Sequence, residues 1–219
     1  MNETIDIVNY VIEICGVAAF AISGATEGFK NKLDMFGVCL LGVLTALGGG
    51  IMRDVCLGIF PPVAFTRYDY LAVCLLVSVI TFFYSYIRVK VQNSQQTRDE
   101  ILNIVDAFGL GLFVVAGVNA SIGKFGFDKG YVAVCAALLT SIGGGIVRDV
   151  LVMKIPTVLY KHIYALAAIS GAVLYFELEK RTDLNNYLTT AITVVFVVAV
   201  RLIATYGRLN LPKAKGTDE

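Results

Sequence analysis

The stretch "LGGGIMRDV", Leu47–Val55, places three consecutive glycines and an Arg-Asp pair inside an apolar run, and "IGGGIVRDV", Ile142–Val150, repeats the arrangement. How these two segments are read depends on their surroundings. Of the 219 residues, 57% are hydrophobic and 16% charged, and the mean hydropathy is +0.75. A soluble domain carries about 25% charged residues, so this balance indicates an all-α integral membrane protein. A helix needs about 20 apolar residues to cross the hydrocarbon layer. On that measure seven spans are expected, near 5–25, 34–60, 69–89, 101–122, 130–155, 162–178 and 186–206, with a glycine triplet inside the second and the fifth. The connectors are short and polar, and none can hold a separate soluble domain.

The rest of the composition excludes several classes. A net charge of +1 gives no basic face for nucleic acid. His162 is the only histidine, and Cys15, Cys39, Cys56, Cys74 and Cys135 are scattered without metal-ligand spacing; the cysteines read as packing residues. No Ser-Lys, Ser-His or paired-Asp constellation stands out, so no catalytic residue, cofactor or resident metal is assigned. The N-terminus has no basic region before its apolar run, and the first span is expected to be retained.

The duplication organises the chain. Gly48 aligns with Gly143, 95 positions on, and Arg53, Asp54 and Pro61 then meet Arg148, Asp149 and Pro156; upstream, "FAISG" from Phe20 resembles "FVVAG" from Phe113 at an offset of 93. Each unit holds three spans. An odd number sends the second copy into the membrane from the opposite side, so the expectation is an inverted repeat: 1–95, then 96–182, then a seventh helix and basic cytoplasmic tail over 183–219. Orientation follows from Lys and Arg near the spans. With the N-terminus outside, the inner side carries Lys30, Lys32, Arg88, Lys90, Arg98, Lys154, Lys161, Arg201, Arg208, Lys213 and Lys215; the outer side carries only Arg67, Lys124, Lys129, Lys180 and Arg181.

Both motif helices read as continuing past the charges to Pro61 and Pro156. Each interior glycine weakens a helix by about 1 kcal/mol relative to alanine, so a triplet is a point where winding can fail. Unwound backbone in lipid must line water or be buried in protein, and its carbonyls can replace part of a cation's hydration shell. That expectation depends on real loss of winding at Gly48–Gly50 and Gly143–Gly145. The competing reading is that the glycines only allow close helix packing while the arginines reach an interface. An Arg or Asp deep in the bilayer needs a partner. Because neighbours on a helix point about 100° apart, cross-pairing of Arg53 with Asp149 and of Arg148 with Asp54 is expected.

Other polar residues in the spans are weaker pointers: Ser23, Thr45, Asn119 and Thr140 are candidate lining residues, with Thr26, Glu27 and Ser121 nearby. Ser and Thr, however, also bond back to their own helix. Glu13 and Asp106 read as reaching the interface. Tyr68, Tyr70, Tyr84 and Tyr86 read as interfacial anchors, and the small-residue faces from Gly16 and Gly109 suit close helix contact.

With three plus three plus one spans and "GGGIMRD" and "GGGIVRD" in the second and fifth, the chain resembles the prokaryotic trimeric intracellular cation (TRIC) channels from about Tyr10 to Tyr206. The resemblance implies a homotrimer in a bacterial or archaeal inner membrane, in contact with membrane lipids. Each protomer would carry its own pore for monovalent cations, mainly potassium with sodium as the other permeant ion, lined by the second and fifth helices. By position, Gly48, Gly49, Gly50, Gly143, Gly144 and Gly145 would form kinks, with Arg53, Asp54, Arg148 and Asp149 beside them as pore or gating charges; the metal would be a transient permeant ion only. The lysine-based lipid signature of animal members is absent. Bacterial relatives have also been labelled glycine transporters, so the second reading is a secondary transporter for glycine or a similar small amino acid. No "TVGYG" filter is present, and any selectivity would be modest.

Overall fold

The computed structural model describes residues 3–90, 95–160, 163–182 and 184–207. His162 and the side chains of Arg88, Lys90, Arg98, Lys161, Arg208, Lys213 and Lys215 lie outside the described residues, as does the tail beyond Gly207. The described chain is helical: α1 (Glu3–Lys30), α2 (Met35–Leu57), α3 (Val63–Thr66), α4 (Tyr68–Lys90), α5 (Gln95–Phe125), α6 (Gly130–Leu151), α7 (Thr157–Tyr160), α8 (Ile163–Arg181) and α9 (Asn186–Tyr206). Among the described residues, six segments are long and apolar enough to cross a membrane, in α1, α2, α4, α5, α6 and α9. The sixth expected span, 162–178, falls on α8, which ends in Glu177, Glu179, Lys180 and Arg181 and is not among them.

Four helices form the centre: α2 packs against α6 and α1, and α5 packs against α6 and α1. α4 lies on α1 and α2, and α8 lies on α5 and α6 in the corresponding way, with α9 added against α5 and α8. Between helices in lipid the attraction is van der Waals packing, and small residues let backbones approach. The small-residue faces do this here. Gly16 leaves a notch filled by the Phe113 ring, Gly109 leaves one filled by Phe20, and the two rings meet edge-to-face at 4.8 Å.

The glycine triplets do not unwind. α2 runs without interruption through Gly48–Gly50 and α6 through Gly143–Gly145. Instead the two helices cross there. A Cβ on Gly49 would stand 2.9 Å from the Leu139 carbonyl oxygen and nearer still to that of Thr140; one on Gly143 would stand 3.2 Å from Gly49 Cα, and one on Gly144 would collide with the Thr45 carbonyl. Gly48, Gly50 and Gly145 face open space or only distant neighbours. The physical reason is that backbone groups left unbonded in hydrocarbon cost several kcal/mol each. Intact helices with glycines spent on close approach avoid that loss. Close packing is therefore the role the structure gives Gly49, Gly143 and Gly144, and the expected mechanism of exposed carbonyls has no unwound backbone to work with.

Both motif helices also end earlier than expected, at Leu57 and Leu151 and not near Pro61 and Pro156. Of the cysteines, all of which are free thiols, only Cys74 is packed inside; Cys39 is half-buried, and Cys15, Cys56 and Cys135 are exposed on helix surfaces. The packing reading holds for Cys74 alone.

Candidate functional site

The Arg-Asp pairs are placed by how their helices stop. At α2 the Ile59 N–H donates to Asp54 O at 2.8 Å and the Gly58 N–H to Val55 O at 3.1 Å, with Gly58 at φ 67°. At α6 the Lys154 N–H donates to Asp149 O at 2.8 Å and the Met153 N–H to Val150 O at 3.0 Å, with Met153 at φ 56°. Both are six-to-one closures that satisfy terminal carbonyls and turn the chain back. The returning chain reaches its own aspartate. Asp54 Oδ2 accepts the Val63 N–H at 2.9 Å, and Asp149 Oδ2 accepts the Thr157 N–H at 2.8 Å and the Thr157 hydroxyl at 3.0 Å. Each aspartate thus fixes the start of the short helix that follows, where the helix dipole favours a negative charge.

The other carboxylate oxygen takes the arginine next to it in sequence. Arg53 Nε and Nη2 both lie 2.8 Å from Asp54 Oδ1, and Arg148 Nε and Nη2 lie 2.8 Å from Asp149 Oδ1. This corrects the expected cross-pairing. The arginine stem is long enough to swing the guanidinium around the helix to its neighbour, so the 100° separation at the backbone is no obstacle. The two pairs, moreover, face different cavities.

Arg148 and Asp149 line a cleft of about 330 Å³ together with Ser23, Glu27, Asp106 and Arg201. Arg148 Nη1 donates to Ser23 Oγ at 2.6 Å and lies 3.8 Å from Asp106; Arg201 Nη2 lies 3.6 Å from the other Asp106 oxygen. The Lys154 ammonium pairs with Glu27, and the Arg201 guanidinium lies 4.2 Å from the centre of the Tyr164 ring. Arg201 is 4% exposed, and its Nε is buried with no hydrogen-bond partner, an arrangement that costs about 1–3 kcal/mol when nothing fills it.

Arg53 and Asp54 line a much smaller space of about 40 Å³ with Glu13, Gly50, Tyr70 and Phe113. The Tyr70 hydroxyl donates to Glu13. Arg67 lies over the Tyr10 and Tyr70 rings and grips Asp69 with two hydrogen bonds of 3.0 and 3.2 Å; that carboxylate holds its guanidinium pKa above the ordinary range.

The same three helices line both spaces. α1 contributes Glu13 and Val17 to the Arg53 cleft and Ser23 and Glu27 to the Arg148 cleft; α5 contributes Phe113 and Ala116 to the first and Asp106 to the second; α6 contributes Thr140 and Arg148. α1 and α5 therefore run in opposite senses between the clefts. Phe20 falls, along α1, between the residues that line one cleft and those that line the other, and it meets Phe113, which lines the Arg53 cleft.

The structure brings Arg148, Asp149 and Ser23 together in one cleft and Arg53, Asp54, Gly50 and Thr140 in the other. Thr45 and Thr140 each donate to their own helix at 2.6 Å, to Leu41 O and Ala136 O, and Thr45 lines neither space. Asn119 lines neither cleft. Sequence reading missed Tyr70 and Tyr164 as site residues. Tyr70 is buried and not an interfacial anchor, whereas Tyr68, Tyr84 and Tyr86 are exposed. It also read Glu13 and Asp106 as reaching the interface. The signal was present in the repeat, since Glu13 meets Asp106 at the offset of 93 that joins Phe20 to Phe113, and Tyr70 meets Tyr164 one position further on. Arg201, on α9, has no repeat partner that could have marked it.

Fold and site together define a polytopic helical membrane protein in which α2 and α6 each end in an Arg-Asp pair that lines a cleft. The chain belongs to the family described as glycine transporter, whose model matches residues 10–86 and 103–180. It is 35% identical over 204 residues to the inner membrane protein YadS of Escherichia coli (strain K12), covering 93% of this chain and 94% of that one. It is 36% identical over 204 residues to a membrane protein of Vibrio cholerae, covering 93% and 81%. Among solved structures, the TRIC trimeric intracellular cation channel orthologue from Rhodobacter sphaeroides matches with a TM-score of 0.83 at 29% identity, covering 92% of this chain and 99% of that one. A prokaryotic TRIC channel in 0.5 M KCl matches with a TM-score of 0.78 at 31% identity, covering 94% and 99%. The resemblance to TRIC channels expected from the doubled motif is thus found in the fold.

Proposed function

We propose that the protein is a monovalent cation channel, conducting mainly potassium, with one passage per protomer of a homotrimer in the inner membrane. The observation that carries this reading is the pair of clefts lined by opposite ends of the same helices, in a fold shared with TRIC cation channels. α8 serves as the sixth of seven spans, and the opposite senses of α1 and α5 support an inverted repeat of 1–95 and 96–182, followed by 183–219. The N-terminus lies outside and the C-terminus in the cytoplasm.

The passage runs from the Arg53 cleft to the Arg148 cleft. Its narrow part is apolar, formed by Phe20 and Phe113 beside the α2–α6 crossing at Gly48–Gly50 and Gly143–Gly145. Such a constriction closes by excluding water. Opening separates these elements, while Arg53–Asp54 and Arg148–Asp149 stay paired and set the local charge at each mouth. Selectivity is modest, since side-chain oxygens and a wet cleft replace little of an ion's hydration.

Purified protein in planar bilayers under a potassium gradient tests this. Stepwise single-channel currents are expected, with Phe113→Ala raising open probability severalfold. The second reading, a secondary transporter for glycine or a similar amino acid, is favoured by the family description and by the mixed charges of the Arg148 cleft. Saturable, ion-coupled glycine uptake into liposomes without current steps would replace the first reading by the second.

A further inference from the structure

We infer that Glu13 is the residue that makes the passage prefer cations to anions, acting at the mouth formed by the Arg53 cleft. This deepens the conduction reading and rests on it. Five carboxylates line the two clefts, Glu13 and Asp54 in one and Glu27, Asp106 and Asp149 in the other. Four of them have a cation beside them: Asp54 has Arg53, Asp149 has Arg148, Glu27 has Lys154, and Asp106 stands between Arg148 and Arg201. Glu13 makes no ion pair among the described residues. Its partner is the Tyr70 hydroxyl, which donates to one of its two oxygens.

The surroundings leave that charge unmatched. Arg53, which shares the cleft, puts both Nε and Nη2 on Asp54 Oδ1, and Arg67, which lies over the Tyr70 ring, is gripped by Asp69. The hydroxyls that line the space have their protons engaged: Tyr70 donates to Glu13, and Thr140 donates to Ala136 O at 2.6 Å. Both therefore offer oxygen lone pairs to whatever enters. Among the lining side chains, an anion would find free donors on Arg53 alone, whose charge Asp54 already matches, while a cation meets a carboxylate oxygen and two hydroxyl oxygens. The space of about 40 Å³ holds about one or two waters, so an entering ion gives up much of its hydration and depends on these oxygens. A carboxylate at a pore mouth selects by sign of charge in this way. Asp106, the repeat counterpart of Glu13, is flanked by two guanidiniums and is not free to do the same.

The test is the reversal potential of purified full-length protein in planar bilayers under a KCl gradient, which reads the potassium-to-chloride permeability ratio. Glu13→Gln keeps an oxygen that accepts the Tyr70 hydroxyl and should lower the ratio at least threefold, with Glu13→Asp close to wild type. Its single-channel conductance should also fall at least twofold in dilute KCl and approach wild type in concentrated KCl, where salt screens the charge. Tyr70→Phe removes the hydroxyl but leaves the carboxylate, and should keep the wild-type ratio. A wild-type ratio near one, an unchanged ratio in Glu13→Gln, or an equal loss in Tyr70→Phe would each overturn the inference. If Glu13→Gln does not fold, Ala64→Lys decides: it adds a positive charge at a half-buried position lining the same cleft and should lower the ratio comparably, and an unchanged ratio there would overturn the inference as well. The two readings fail differently. Wild-type protein without current steps sinks conduction and this inference with it, whereas current steps with an unchanged ratio in the variants sink this inference alone.

Discussion

The Arg53 and Arg148 clefts are built on one motif yet enclose about 40 and 330 Å³. The shared parts are the helix closure, the aspartate that caps the next short helix, the arginine folded onto that aspartate, and a buried tyrosine, Tyr70 or Tyr164. The differences lie in what surrounds the arginine. Where the Arg148 cleft has Ser23, the Arg53 cleft has Ala116, and the Glu27–Lys154 pair and Arg201 line the Arg148 side alone. A duplicated frame can therefore keep its fold-determining contacts in both copies while one copy gathers the groups that make a cavity polar and wide.

The largest effect that could break this comparison is the loss of an aspartate. Asp54→Asn leaves the buried Arg53 without its carboxylate and should cost about 3–5 kcal/mol. Asp149→Asn should cost about half as much, because Ser23 and Asp106 still face Arg148. Chemical denaturation of the two variants in detergent measures the difference, and equal losses would mean that the surroundings of the two arginines do not matter. Next in size, Gly144→Ala drives a methyl group into the Thr45 carbonyl and should cost about 1–3 kcal/mol. Gly145→Ala meets open space and should be neutral or stabilising by up to about 1 kcal/mol. Thermal unfolding that ranks them the other way would remove the helix crossing from the account.

Smaller again, Ser23→Ala makes the Arg148 cleft more like its counterpart and should lose about 1.5 kcal/mol of stability, the worth of a hydrogen bond to a charged group; Ala116→Ser should shift stability by less, since Arg53 already has its carboxylate. Paired melting curves would sharpen how far each cleft depends on that position. Last, Met153 occupies the left-handed conformation that its counterpart Gly58 adopts without strain. Met153→Gly should raise stability by about 0.5–1 kcal/mol, read as a small rise in melting temperature.

Much of the frame was legible before any coordinates. Hydropathy located the six helices that meet the length and apolarity needed to span, and the offset between Gly48 and Gly143 aligned the two motif segments. The glycine triplets were legible as special but not as to their use. Sequence reveals that a glycine helix can unwind; it does not reveal that another helix lies close enough for Gly49 and Gly144 to be needed as contact points. The Arg-Asp pairing was misjudged because a helical wheel places Cα atoms and ignores the reach of a guanidinium. Tyr70 was taken for an interfacial anchor because that is the common role of tyrosine near a span end, and only its burial against Glu13 shows otherwise. Arg201 looked like one more positive charge near a helix end, and its role depends on a cleft formed by residues nearly 180 positions away.

Arg201 also has a consequence for direction. A frame made of two copies running in opposite senses looks alike from either side, and traffic through it would have no preferred heading. One guanidinium from a helix outside both copies adds to what already sets the two clefts apart, so in a passage joining them a solute arriving from one face would meet a different first charge from one arriving at the other. The protein thereby acquires a front and a back.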